Sequence, residues 1–248
     1  MPETHWELPP APPDLPDGEV HLWRVPLDQT VDVVNDLRPL LAHDERARAD
    51  RIKLARESAR FVVGRGSLRR VLARYIGREP GSLTFGVEGY GKPFLVGNAP
   101  PRFNLSHSHG TGLIAVARER TVGVDLERLR PMHDLDQIVA RFFAPGERSD
   151  FATLADDLKL SAFFRCWTRK EAYMKATGEG FSMPLERFEV SLLPGVPARL
   201  VSVTGRPEEV ARWFVYDVDP GPDLVAAVVV ERGAERLRHF AFEPGCAS

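Results

Sequence analysis

The chain has 248 residues, 43% of them hydrophobic and 27% charged, with a formal net charge of −2. That is the composition of a globular protein long enough for one large domain or two small ones, and it gives no electrostatic reason to expect nucleic-acid binding. Two cysteines, Cys166 in an apolar segment and Cys246 near the end, are too few for a disulfide framework or a zinc site.

Residues 1–18 are proline-rich and without period, which predicts a tail lying over the surface or disordered. A short alternation predicts a strand over Val20 to Val25, and helices follow from about Thr30 to Gly77. The second part of that region is basic, from Arg46 through Arg74. Phe61, Leu68, Leu72 and Tyr75 form its apolar stripe, and Gly77 is placed as its stop. After Pro80 the pattern changes to short strands: Leu83 to Val87, Pro93 to Val96, Arg102 to Leu105, Gly112 to Ala117 and Thr121 to Leu126. Helical pattern returns from about Asp134 to Ala176. Strands follow near Phe188 to Leu192, Arg199 to Val203, Trp213 to Asp217 and Leu224 to Glu231. Helices then strands, twice over, predict an α+β fold of two similar halves, 19–121 and 122–248, behind the tail. The longest apolar run, Leu224 to Val230, is far short of the about 20 residues that span a bilayer. The N-terminus also lacks the basic and apolar stretches of a secretory signal, so a cytoplasmic protein with no membrane partner is expected.

Four segments carry chemistry. In Gly123-Val124-Asp125-Leu126-Glu127, strand alternation sends Val122, Val124 and Leu126 to the core and puts Asp125 and Glu127 on the other face. Paired carboxylates repel unless a cation lies between them, and oxygen ligands suit magnesium. Taken alone, the pattern is more often an exposed strand end balanced by Arg128 and Arg130. In Trp167 to Lys175, the residues Trp167, Glu171 and Lys175 fall on one helical stripe. A surface ion pair is the commoner meaning of such spacing, but the apolar approach from Ala162 to Trp167 implies burial. In Phe103-Asn104-Leu105-Ser106-His107-Ser108-His109-Gly110, hydroxyls and a histidine at a strand end could bind phosphate, or could simply form a polar loop. No nucleophile elbow surrounds Ser106, which argues against a hydrolase triad. Gly89-Tyr90-Gly91-Lys92-Pro93 pairs two glycines with a cation, a weak pattern that is usually a turn.

In chain order, with the basic helix Arg60 to Arg70 before them and Phe142-Phe143 and Glu147 between the Gly123 and Trp167 segments, these segments resemble the long, single-chain phosphopantetheinyl transferases named after the surfactin-synthetase activator. The resemblance runs from about Arg46 to Pro184. It implies two α+β halves related by a pseudo-twofold, with coenzyme A and Mg2+ in the cleft between them. It assigns Asp125, Glu127 and Glu171 to the metal, and Lys175 and His107 to the pyrophosphate. Arg60, Lys92, Pro93 and Ser106 fall to the nucleotide end with its 3′-phosphate. His109 departs from the pattern, standing where glycine is frequent.

The implied reaction is attack by a carrier-protein serine on the β-phosphorus of coenzyme A, with 3′,5′-adenosine diphosphate leaving. Glu171, Lys175 and His107 are the candidate catalytic residues. A magnesium-dependent phosphoanhydride hydrolase and a catalytically silent binding module are the competing readings. The expected partner is an apo acyl or peptidyl carrier protein, docking near Arg128 to Phe143. The expected state is a monomer.

Overall fold

The computed structural model describes residues 4–9, 13–97 and 100–245. Cys246 lies outside them, as do parts of the proline-rich tail. In chain order the elements are β1 (Glu19–Pro26), α1 (Val31–Leu37), α2 (His43–Arg51), α3 (Ala55–Ile76), β2 (Phe85–Glu88), β3 (Lys92–Leu95), β4 (Arg102–Ser108), β5 (Thr111–Ala117) and β6 (Val122–Arg128). There follow α4 (Leu135–Phe142), α5 (Pro145–Ala152), α6 (Asp156–Thr177), β7 (Phe188–Val190), β8 (Leu200–Val203), α7 (Glu209–Arg212), β9 (Trp213–Val218), β10 (Leu224–Glu231) and β11 (Arg236–Ala241). The fold is mixed α+β, and its order of elements repeats. A strand (β1 or β6) precedes a 22-residue helix (α3 or α6) that stops at a left-handed glycine, Gly77 or Gly178. A small two-stranded sheet follows, β2-β3 or β7-β8. Then come two strands that complete an antiparallel set, β1-β5-β4 or β6-β10-β9.

The central strands of the two larger sheets are buried on both faces, which is why β5 (TGLIAVA) and β10 (LVAAVVVE) read as nearly unbroken apolar runs. Odd positions Trp23 and Val25 pack with Ile114 and Val116 beneath α3. Even positions Val20 and Leu22, with Leu113, Ala115 and Ala117, meet Val122, Val124, Leu126, Ala226 and Val228 from the other sheet. Period two thus sorts each strand between a helix layer and a sheet layer. The second helix, α6, closes the far side over Ala227 and Val229.

β11 differs from the sequence expectation, whereas the described part of the tail takes the first of its two expected forms, lying over the surface. β11 was not foreseen; its alternation is short and loaded with Arg236, Arg238 and His239. It is a strand because β1 offers it a parallel edge, from Glu19↔Arg236 to Arg24↔Ala241. The described part of the tail is also tied down. Trp6 Nε1 donates to the Asp219 carbonyl at 3.2 Å, Arg24 stacks over the Trp6 ring, and Glu7 bridges to Phe240.

One buried ion pair sets how α6 is seated. Glu147 and Lys170 are each 1% exposed, and the Lys170 ammonium donates to both carboxylate oxygens at 2.7 Å and to Phe188 O at 2.6 Å. The same carboxylate accepts the Ala144 and Val190 amides, each at 2.8 Å, capping α5 and holding β7. Removing one partner strands a desolvated charge. Lys170→Met should therefore lower unfolding free energy by about 3–5 kcal/mol in urea titrations. Adding Glu147→Leu should recover only part of the loss, because two backbone amides then lack an acceptor.

Candidate active site

Strand β4 forms the edge of the first sheet and β6 the edge of the second, and they meet through side chains rather than through a ladder. Asn104 Oδ1 accepts the Val124 amide at 2.9 Å, Ser106 Oγ the Leu126 amide at 3.3 Å, and Ser108 Oγ the Arg128 amide at 3.2 Å. Every second residue of β4 thus serves one amide of β6, as strand alternation requires. Each serine also holds one acid: Ser106 donates to Asp125 Oδ1 and Ser108 to Glu127 Oε2, both at 3.0 Å. The β4–β5 turn has His109 at φ 47° and Gly110 at φ 84°, the left-handed pair that a two-residue hairpin needs. This is how histidine is tolerated where glycine was expected.

From the other side, α6 brings Glu171 and Lys175. Their spacing suggested an i,i+4 ion pair, but Lys175 reaches across to Asp125 Oδ1 at 2.7 Å and Ser106 Oγ at 3.0 Å. Glu171 has no hydrogen-bond or ion-pair partner among the described residues, and its pKa rises to about 7 through burial, with Asp125 and Glu127 adding repulsion. Burial also raises the Asp125 pKa against the pull of Lys175. Helix and strand approach this closely because of Gly123, where a Cβ would lie 2.2 Å from Ala172 O and 2.3 Å from Ala176 N.

Two cavities open beside this cluster. One, of about 530 Å³, is lined by Arg48, Arg60, Phe61, Arg65, Phe85 and His107, among others, and its wall is basic and aromatic. The other, of about 320 Å³, runs from Glu171 and Lys175 past Pro93, Leu105 and Met174 to Tyr90. The Lys175 ammonium and loss of solvation hold the His107 pKa below its ordinary value, with loss of solvation the larger cause.

The structure therefore gathers Asp125, Glu127, Glu171, Lys175 and Ser106, with His107 and Pro93 at the cavity walls. It does not leave every expected cation free. Arg60 gives a two-pronged contact to Asp28, both prongs 2.8 Å, and donates to Glu57 at 2.8 Å. Lys92 turns to two backbone carbonyls, Val122 O at 3.1 Å and Ala176 O at 2.9 Å. Burial lowers its pKa to about 8. Arg48, one of the basic run from Arg46 to Arg74, lies over Phe61 with no ion pair among the described residues. Asn104 and Ser108 belong to the segment expected to bind phosphate, but they serve β6 amides and Glu127 instead, a role signalled by polar residues at every second position of a strand.

Among the described residues, no group of three or more His, Cys, Asp or Glu side chains is drawn together as a metal site. The donor set still fits a hard divalent cation. Asp125 Oδ2 is buried without any partner, and three carboxylates repel one another around it.

The electrostatics predict a pH effect. The Glu171 pKa is raised in the folded protein, so its stabilising contribution is complete below the unfolded value near 4.5 and is lost as pH rises through about 7. Without divalent metal, the melting temperature of the wild type should fall relative to Glu171→Gln between pH 5 and 8. A parallel pair of curves would refute the raised pKa of Glu171.

The profile of the 4'-phosphopantetheinyl transferase superfamily (ACPS) matches residues 121–229. The chain is 43% identical over 226 residues to the 4'-phosphopantetheinyl transferase HetI of Nostoc sp. PCC 7120, covering 89% of this chain and 92% of that one. To the 4'-phosphopantetheinyl transferase Sfp of Bacillus subtilis it is 27% identical, covering 82% and 88%. Among solved structures it is similar to a holo-(acyl-carrier-protein) synthase from Bacillus anthracis in complex with CoA (3',5'-ADP). The TM-score is 0.36 and the identity 22%, over 46% of this chain and 98% of that one. With a relative this similar over nearly its whole length, the chain belongs to the 4'-phosphopantetheinyl transferase superfamily.

Proposed function

We propose that this protein transfers the 4'-phosphopantetheine arm of coenzyme A to a serine of an apo acyl or peptidyl carrier protein, as a magnesium-dependent enzyme. The observation that carries the reading is the cluster itself: an unpartnered buried oxygen on Asp125, crowded by Glu127 and Glu171, with Lys175 beside it. Asp125, Glu127 and Glu171 would hold Mg2+, which would offset the charge that grows on the pyrophosphate.

The basic, aromatic cavity takes the nucleotide end, with Arg48, Arg60, Arg65 and Arg69 on its wall. Pro93, Leu105 and Met174 offer the pantetheine arm an apolar path. Lys175 and His107 donate to the pyrophosphate oxygens, Lys175 exchanging its bond to Asp125 for one to phosphate. The serine Oγ attacks the phosphorus bearing the arm, its proton passing to Glu171 directly or through water. The bridging P–O bond breaks, and 3′,5′-adenosine diphosphate leaves with the electron pair. A carboxylate on a helix beside the reacting phosphorus can accept that proton.

In this reading residues 19–121 supply the nucleotide cavity and residues 122–248 the acids and α6, so one chain completes the site as a monomer. The carrier docks beside Glu127, on the segment from Arg128 to Phe143. No described helix is long and apolar enough to cross a membrane, and a coenzyme A substrate is consistent with work in the cytoplasm.

Mass spectrometry of apo carriers incubated with the protein, coenzyme A and Mg2+ should show one added phosphopantetheine. Release of free phosphopantetheine without carrier modification would favour the hydrolase reading instead. Asp125→Asn and Glu127→Gln should each reduce transfer about 100-fold or more while unfolding cooperatively; near-normal turnover in both would remove the metal assignment. Arg48→Ala should raise the KM for coenzyme A about tenfold or more through loss of a charge-assisted hydrogen bond. A 3′-dephospho analogue should be affected far less, and equal losses would take Arg48 away from that phosphate.

A further inference from the structure

We infer that Lys92 is a positioning residue, a clasp that sets the spacing between the strand and the helix that carry the site, rather than a contact to the 3′-phosphate of coenzyme A. The inference rests on the proposed function above and adds a residue role to it.

Lys92 opens β3 in the first unit, yet both hydrogen bonds of its ammonium end in the second. One goes to Val122 O at 3.1 Å, 30 residues away in sequence, and the other to Ala176 O at 2.9 Å, 84 residues away. Val122 begins β6, three residues before Asp125. Ala176 lies in the last turn of α6, next to Lys175. The last carbonyls of a helix have no intrahelical donor, and the negative end of the helix dipole favours a cation there. Gly178 N caps Met174 O at 3.0 Å, while Ala176 O is left to Lys92.

The ammonium sits where strand and helix touch. A Cβ on Gly123, the residue after Val122, would meet Ala176 N at 2.3 Å and Ala176 Cα at 2.8 Å. No side chain separates the two backbones at that point, so one cation bonded to both fixes their relative height. Any slip there moves Asp125 and Glu127 against Glu171 and Lys175. The β2–β3 hairpin that carries Lys92 is itself held to the end of α6. Tyr90 N approaches Gly178 O at 3.5 Å, and a Cβ on Gly89 would lie 2.7 Å from the same oxygen. Two of its three donors are committed to fixed carbonyls, so following a phosphate would cost Lys92 its hold on strand and helix.

The test compares Lys92→Met, which keeps the stem and removes the donors, with Lys92→Arg, which keeps donors. Each is assayed with coenzyme A and with 3′-dephospho-coenzyme A, Mg2+ and an apo carrier. Lys92→Met should lose about tenfold or more in kcat with both donors alike, while the KM for coenzyme A changes by less than about threefold. Lys92→Arg should recover most of that rate, which a purely bulk-filling role would not require. Amide exchange in the last turn of α6 and the first residues of β6 should quicken in Lys92→Met and not in Lys92→Arg. Should Lys92→Met fail to fold, Lys92→Gln carries the same comparison.

A loss with coenzyme A that is spared with the dephospho analogue would overturn the inference and return Lys92 to the phosphate. Unchanged exchange together with unchanged kcat would overturn it too. If the wild type modifies no apo carrier, the proposed function falls, while the exchange comparison still decides whether Lys92 is a clasp.

Discussion

Two sheet edges that cannot pair with each other, and cannot be left bare, set the design of this protein. An unpaired strand edge exposes a row of backbone donors. Here the edge of β6 is served by side chains of β4, one residue in two, so the strands stand apart by the reach of an asparagine or serine. The same serines hold Asp125 and Glu127. Closing the seam between the two sheets and aiming the acids are therefore one act. A tight backbone ladder would have closed the seam and left no hydroxyl to orient either carboxylate.

The charges around that seam are arranged against their own solvation. Asp125 is 5% exposed, and one of its oxygens has no partner. Its neighbours divide into a cation, Lys175, that steadies it and two acids that do not. Glu171 responds by holding its proton to about pH 7. Such an arrangement costs stability, and it contrasts with the buried pairs elsewhere in the fold. Glu147 with Lys170 seats α6, and Arg69 with Glu45 seats α3 against α2. These buried pairs are fully engaged by further hydrogen bonds, which is the condition under which a desolvated ion is tolerated. Asp125 Oδ2 and the Glu171 carboxyl, by contrast, have no hydrogen-bond partner among the described residues.

Much of this was legible in the chain. Alternation alone put Val122, Val124 and Leu126 opposite Asp125 and Glu127, since side-chain direction along a strand is a local property. Helical spacing put Trp167, Glu171 and Lys175 on one stripe, and Gly77 and Gly178 mark the helix ends that left-handed backbone demands. Residue types and their order were enough to identify the family. These are statements about neighbours a few positions apart, and the sequence states them directly.

What tertiary structure alone decided is which partner each polar group meets. Lys175 bonds to Asp125, 50 residues away, instead of the glutamate one turn before it. Arg60 is spent on Asp28, and Lys92 on two carbonyls of the other unit. β11 is a strand because β1 had an edge to give it. A charge on a flexible stem goes wherever the nearest unsatisfied group lies once the backbone has packed. The sequence by itself determined most of the elements, β11 excepted, and the faces on which the acids stand. The pairing of cations with acids and carbonyls was settled only by the packing of β4, β6 and α6, because those contacts join residues that no local rule connects.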